Sequence, residues 1–93
     1  MRIIGNIDHP NMKITVFKMD NKLSIKFELG LYEQTYKFRE SEYMKNMEDA
    51  EKLVDATLLG EVLKNFNNMH KAKNEALGQL VKLEEEGEFP ELI

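Results

Sequence analysis

The residues that could carry out chemistry are few in this sequence, and they are scattered. His9 and His70 lie far apart, without the HxxxH or HExxH spacing that places two imidazole nitrogens on one metal ion. The absence of cysteine excludes disulfides, cysteine-ligated zinc and thiol nucleophiles. Ser24 and Ser41 have no neighbouring histidine to activate them, and no glycine-rich phosphate loop is present. The sequence therefore predicts a protein that is not an enzyme and that uses no metal or cofactor.

The uneven charge distribution indicates either that the two halves of the chain attract each other, which is the simpler interpretation, or that the basic half binds an anionic partner such as nucleic acid. The net charge is -4, but residues 1–39 contain 7 basic and 4 acidic side chains (+3), whereas residues 40–93 contain 6 and 13 (-7). An aromatic side chain on a basic sheet face can stack on a base while the cations contact phosphates. The alternative is an ordinary solvent-facing sheet surface, which is commonly rich in Lys, Thr and Glu. The candidate nucleic-acid-binding residues are Phe17, Lys22, Lys26, Lys37 and Arg39.

Residues 1–39 have the pattern of an antiparallel β-meander. Runs rich in β-branched and aromatic residues show the period-two alternation of strands. The interruptions at Asp20-Asn21 and Gly30-Leu31 predict two-residue hairpin turns, which fix the pairing of the flanking strands. The predicted strands are residues 12–19, 22–29 and 32–38, and residues 2–7 are predicted as a fourth strand.

The predicted pairing places the apolar residues on one face of the sheet, and the charged residues fall on the opposite face. A four-residue first turn would add Ile3, Gly5 and Ile7 to the apolar face. Gln34 also falls on this face, where a polar side chain needs a hydrogen-bond partner. The core face consists of Ile14, Val16, Leu23, Ile25, Phe27, Leu29, Tyr36 and Phe38.

Residues 47–86 have helical patterning. Asn46 can cap a short helix over residues 47–54, and Asp55 can cap a long one that ends near Glu86. The apolar spacing also permits one unbroken helix, and the pattern does not separate the two. The predicted fold is α+β: an antiparallel three- to four-stranded meander, a short helix and a long amphipathic C-terminal helix (ββββα), in a single domain of residues 1–93 with a tail at residues 87–93.

The long helix exceeds the sheet that it would cover. Its length is roughly 45 Å at about 1.5 Å per residue, against about 23 Å for a seven-residue strand. A heptad seam continues past the broad apolar stripe, which predicts a homodimer formed through this helix. The alternatives are a bend at Gly78 that returns the helix to its own domain, or a break at residues 65–68. The predicted dimer interface is Val62, Phe66, Met69, Lys73, Ala76, Leu80 and Leu83.

The overall composition is that of a soluble globular protein. Apolar residues make up 42% and charged residues 32% of the chain, without an apolar run of membrane-spanning length. The first residues lack the pattern of a signal peptide, so we expect a cytoplasmic protein. The apolar tail, Phe89 to Ile93, either docks on its own domain, which we expect, or serves as a docking motif for another protein.

One set of residues in the strand half resembles a group of short bacterial proteins of unassigned function: Gly5, Ile7, His9, Pro10, the run Lys13-Ile14-Thr15-Val16-Phe17, and the run Glu33-Gln34-Thr35-Tyr36-Lys37. This likeness covers residues 5–39, and it implies an intact strand unit but no activity. Separately, the order of four strands followed by one helix, without any shared sequence motif, is similar to the repeat unit of PUR and Whirly nucleic-acid binders, which pair two such units through their helices.

Two functions are expected from these patterns. The first is a non-enzymatic homodimeric adaptor protein that recruits another protein through its sheet face or its tail. The alternative is a single-stranded nucleic-acid-binding protein that uses the basic face of the sheet.

Overall fold

The computed structural model describes residues 1–85, with side chains up to Lys82, so the predicted tail lies outside the described residues. The strands form one antiparallel sheet in the order β1-β2-β3-β4. The predicted α+β fold is confirmed, with four strands and with a short helix preceding the long one. The elements are β1 (Arg2–Ile7), β2 (Lys13–Met19), β3 (Lys22–Leu29), β4 (Tyr32–Arg39), α1 (Met47–Leu53) and α2 (Ala56–Glu85).

Both predicted hairpin turns contain two residues, and the predicted strand register is confirmed. Met19 pairs with Lys22 across the first turn, and Leu29 pairs with Tyr32 across the second. Each turn requires one residue with a positive φ, which Asp20 (54°) and Gly30 (60°) supply. Because a two-residue turn allows only one pairing of the flanking residues, every later pair in these hairpins follows from the turn position.

The pairing of the first strand differs from the prediction. A four-residue first turn would have paired Ile7 with Met12, whereas Ile7 pairs with Ile14 and Gly5 with Val16. This displacement by two residues leaves Ile7 and Gly5 on the predicted face, but the register shifts again between Ile3 and Gly5. A β-bulge inserts one extra residue and so moves the residues before it to the other face. Ile3 was therefore wrongly placed in the core: it is exposed beside Phe17, and Ile4 packs against the core instead. Gly5 fits this place because a Cβ there would lie 2.6 Å from the Met47 sulfur.

The core lies between one face of the sheet and the two helices. Gln34, the polar residue on this face, is satisfied: its Nε2 donates to the Val62 carbonyl at 2.9 Å, and its Oε1 accepts from the Tyr36 hydroxyl at 2.6 Å. These bonds fix α2 to β4 at the level of Val62. The buried apolar residues are Met12, Ile14, Val16, Leu23, Ile25, Phe27, Met44, Ala50, Val54, Val62 and Phe66.

The helical half contains two separate helices, which resolves the alternatives that the sequence left open. The Asn46 side chain accepts from the Asp49 amide at 3.0 Å and begins α1. The Asp55 carboxylate accepts from the Leu58 amide at 2.9 Å and begins α2. From there α2 is one helix of 30 residues, continuous through residues 65–68 and Gly78. A helix that bends at Gly78 to cover itself is therefore excluded.

The molecule is elongated because α2 projects beyond the sheet. Its dimensions are 57 × 27 × 19 Å, and its radius of gyration is 18.1 Å. A compact chain of this length would have a radius of gyration of about 12 Å. The sheet thus covers only the first part of α2.

Candidate interaction surfaces

The projecting part of α2, residues 70–82, is exposed along its whole length, and we call it the overhang. Its large apolar side chains are Leu77, Leu80 and Val81, which are 49%, 41% and 50% exposed. Their spacing of three and four residues places them on one side of the helix, together with Ala76. A connected apolar stripe of this kind, which no other element within residues 1–85 covers, is typical of an interaction surface.

One polar cluster marks the point where the sheet ends and the overhang begins. The Tyr32 hydroxyl is hydrogen-bonded to His70 Nδ1 at 2.8 Å, and the two rings meet edge to face with centroids 5.8 Å apart. The Lys73 ammonium lies 5.3 Å from the centroid of the Tyr32 ring, and Asn74 Nδ2 lies 3.1 Å from His70 Nε2. Tyr32 therefore fixes the direction in which the overhang leaves the sheet.

The seam predicted as the dimer interface is divided between two environments. Val62 and Phe66 are buried in the core of their own chain, and Met69 packs against that core. The assignment of Val62 and Phe66 to the dimer interface is therefore wrong, because their apolar surface is already buried within their own chain, whereas Met69 is only partly buried there. Of the later seam residues, Lys73, Ala76 and Leu80 are exposed, while the Leu83 side chain lies outside the described residues.

The basic face of the sheet, which we call the outer face, lies opposite the helices. The acidic helical half therefore does not cover it. Register places Phe17 in line with Ser24 and Lys37, and places Met19 in line with Lys22 and Arg39. Lys22, Lys37 and Arg39 are exposed, and none forms an ion pair within the described part of the chain. Four of the five predicted nucleic-acid-binding residues are thus open to solvent or half-open on one surface.

The remaining predicted cation, Lys26, is held by its neighbours. Its ammonium lies 3.7 Å from a Glu28 carboxylate oxygen and 3.5 Å from one of Glu33, and 5.8 Å from the centroid of the Phe17 ring. Its positive charge is therefore largely balanced. Arg2 does not join this face, because the β1 bulge pairs it with Lys18 and not with Phe17.

A groove that the sequence did not predict opens where α1 meets α2 above β3 and β4. Its volume is about 530 Å³, its walls are mainly apolar, and Asp55 and Glu61 lie among its lining residues. The groove is lined by residues from β3, β4, α1 and α2, which are distant in the chain, so no local sequence pattern encodes it. Its lining includes Ile25, Phe27, Tyr36, Phe38, Leu53 and Leu58.

The two histidines have structural roles in the described residues. His9 Nδ1 accepts from the backbone amides of Asn11 at 3.1 Å and Met12 at 3.2 Å, which stabilises the turn between β1 and β2. Over the part of the chain that the structure describes, no three His, Asp or Glu side chains are grouped to hold a metal ion. Within the same residues, neither helix has the length and apolarity needed to cross a membrane.

Comparison with known proteins gives no match: no family model fits the sequence, and no curated protein or solved structure is significantly similar to it. The resemblance to short bacterial proteins and to PUR and Whirly units stays a prediction. The surfaces described above are therefore the basis for proposing a function.

Proposed function

We propose that this protein is a non-enzymatic homodimeric interaction protein, in which the overhangs of two copies cover each other. The supporting observation is the exposed stripe on an unbroken helix. One alternative that would have covered this stripe within one chain, a helix folded back at Gly78, is absent from residues 1–85. A second copy is the simplest partner because it carries the same stripe, and two-fold contacts are self-complementary.

The size of the stripe limits the strength expected of the dimer. Its three large side chains are about half exposed in each copy, which makes a small contact compared with the interfaces of permanent dimers. We therefore expect a dimer that assembles reversibly and whose population rises with protein concentration.

The mass in solution tests this proposal. Sedimentation equilibrium from about 1 to about 500 micromolar is expected to show the mass rising from 10.9 kDa toward twice that value. A mass that stays at the monomer value up to the highest concentration would contradict the proposal.

The adaptor role rests on the surfaces that dimerisation leaves free. The outer face is opposite the helices, so pairing through the overhang does not occupy it, and it is available to another protein. We place the protein in the cytoplasm, which agrees with a chain that has no cysteine.

The second candidate function is single-stranded nucleic-acid binding, which the uncovered outer face favours. Phe17 offers a half-buried ring for stacking, and Lys22, Lys37 and Arg39 supply exposed cations around it that form no ion pair within residues 1–82. If this function is right, a labelled oligonucleotide of about 12 nucleotides is expected to bind at about 50 mM salt and to dissociate as salt rises.

A double charge reversal provides the corresponding mutational test. Lys22→Glu with Lys37→Glu is expected to lower the oligonucleotide affinity by at least about 10-fold and to flatten its salt dependence. Lys45→Glu with Lys52→Glu changes the net charge equally but lies outside the outer face, and it serves as the matched control. Equal effects of the two double variants would indicate nonspecific attraction and would remove this candidate.

A further inference from the structure

Resting on the proposed dimer, we infer that the two overhangs run antiparallel, with Leu77 of each copy against Leu80 of the other and Lys73 against Glu84 of the other. This assignment names the direction and register of the partner helix, which the heptad pattern alone leaves open. It follows from where the sheet lies, from the position of the stripe and from the order of charges along α2.

The sheet decides the direction. Leu80 lies 18 residues after Val62, which is five helical turns, so both residues point the same way from α2. Val62 is fully buried against its own sheet, so the stripe continues the sheet-facing side of the helix. A parallel partner lying against Leu80 would extend back into the space that the sheet fills. An antiparallel partner extends away from the sheet, where the space is open.

The stripe decides the register. In an antiparallel pair of identical helices, the residue numbers of any two facing positions add up to the same value, so one facing pair determines all the others. Setting Leu77 against Leu80 of the second copy also sets Ala76 against Val81, so a small side chain faces a larger one in each flanking layer. This register brings all the large exposed apolar side chains of both overhangs into one continuous contact.

The charges agree with the same register. It sets Lys73 against Glu84 of the second copy, and by symmetry this pair occurs twice. The overhang begins with Lys71 and Lys73, whereas α2 ends with Glu84 and Glu85. An antiparallel pair therefore brings opposite charges together, and a parallel pair would bring like charges together.

An exposed leucine at the edge of the sheet fits this arrangement. Leu31 is 86% exposed in the turn that precedes Tyr32, the residue from which the overhang departs. In the antiparallel pair, the end of the second copy's α2 reaches this edge. The partner thus covers an apolar side chain that is otherwise without a structural role.

Disulfide cross-linking tests direction and register together, because the chain has no cysteine of its own. The full-length variants Lys73→Cys and Glu84→Cys are purified separately, mixed as dimers and oxidised mildly. The mixture is expected to form a cross-linked dimer, whereas neither variant alone should. In an antiparallel dimer of one variant, the two identical thiols lie about 16 Å apart along the helix axis, which is too far for a disulfide. A mixture of Lys64→Cys with Glu84→Cys, which lies out of register, is the control.

Each result of the cross-linking experiment either supports or contradicts the antiparallel register. Cross-linking of the mixture alone supports the inference. Cross-linking of Lys73→Cys with itself indicates parallel helices, and a dimer by mass that forms none of these cross-links indicates another interface; either result overturns the inference. A monomeric mass for the unmodified protein contradicts the proposed dimer itself, so the two failures are distinguishable.

A charge reversal gives a second measurement that needs no cysteine. Lys73→Glu alone is expected to weaken dimerisation about 3- to 10-fold, because it sets a carboxylate against Glu84 of the second copy in two places. Adding Glu84→Lys in the same chain should restore the original affinity. No recovery in the double variant would show that these two residues do not face each other.

Discussion

Replacing Leu80 with glutamate is expected to convert the protein into a monomer. Leu80 lies in the middle of the exposed stripe, and in a symmetric dimer the substitution places two carboxylates in the apolar contact. Burying an unpaired carboxylate costs several kcal/mol, so the dissociation constant should rise by at least about 100-fold. Because Leu80 lies outside the core of its own chain, the circular dichroism and the thermal unfolding of the monomer should not change.

Gln79→Glu is the matched control for this substitution. It adds the same charge to the same helix one position earlier, and glutamate is as good a helix former as glutamine. Gln79 points away from the stripe, so this variant should dimerise like the unmodified protein. If Leu80→Glu also kept its full affinity in sedimentation, the overhang would not be the dimer interface.

Replacing Phe27 with alanine is expected to lower the free energy of unfolding by about 3 to 5 kcal/mol. The Phe27 ring is fully buried in β3 and meets the Tyr36 ring edge to face at 5.9 Å, so its removal leaves an apolar cavity and deletes an aromatic pair. Since small domains have a total stability of only about 5 to 15 kcal/mol, much of the variant should be unfolded at moderate urea concentrations.

Phe17→Ala makes the same chemical change on the opposite face of the neighbouring strand. Phe17 is only half-buried, so its loss should cost about 1 kcal/mol. Urea unfolding followed by circular dichroism, at one fixed protein concentration, compares the two variants. Equal losses would mean that the outer face is covered in solution, which would contradict the description of that face as free.

The elements of this fold that the sequence predicted are those with local causes. Two-residue turns at Asp20 and Gly30 define the register of three strands, and the register then divides core from solvent. Asn46 and Asp55 each cap a helix through their own side-chain oxygen, and both were candidate starts by residue type, although the apolar spacing also permitted one unbroken helix. The Gln34 side chain was predicted to need a hydrogen-bond partner, and it bonds to the Val62 carbonyl and to the Tyr36 hydroxyl.

The features that the sequence did not predict depend on contacts distant in the chain. The bulge before Gly5 accompanies the close approach of Met47, some forty residues later. The heptad seam of α2 is buried as far as the sheet extends and exposed beyond it. Because the heptad pattern is the same in both parts, the sequence does not show where one ends and the other begins. The balance of charge on Lys26 comes from Glu28, along its own strand, and from Glu33 across the hairpin, which a count of cations does not reveal.

In the proposed dimer, the unbroken course of α2 would make the pair of helices a rigid spacer. With the two overhangs antiparallel, the two Val62 positions, and with them the two sheets, lie about 50 Å apart at opposite ends of the helical rod. Each end presents one outer face, so the assembly is bivalent. A ligand with two binding sites at a matching separation gains avidity, whereas one with closer sites engages only one end at a time.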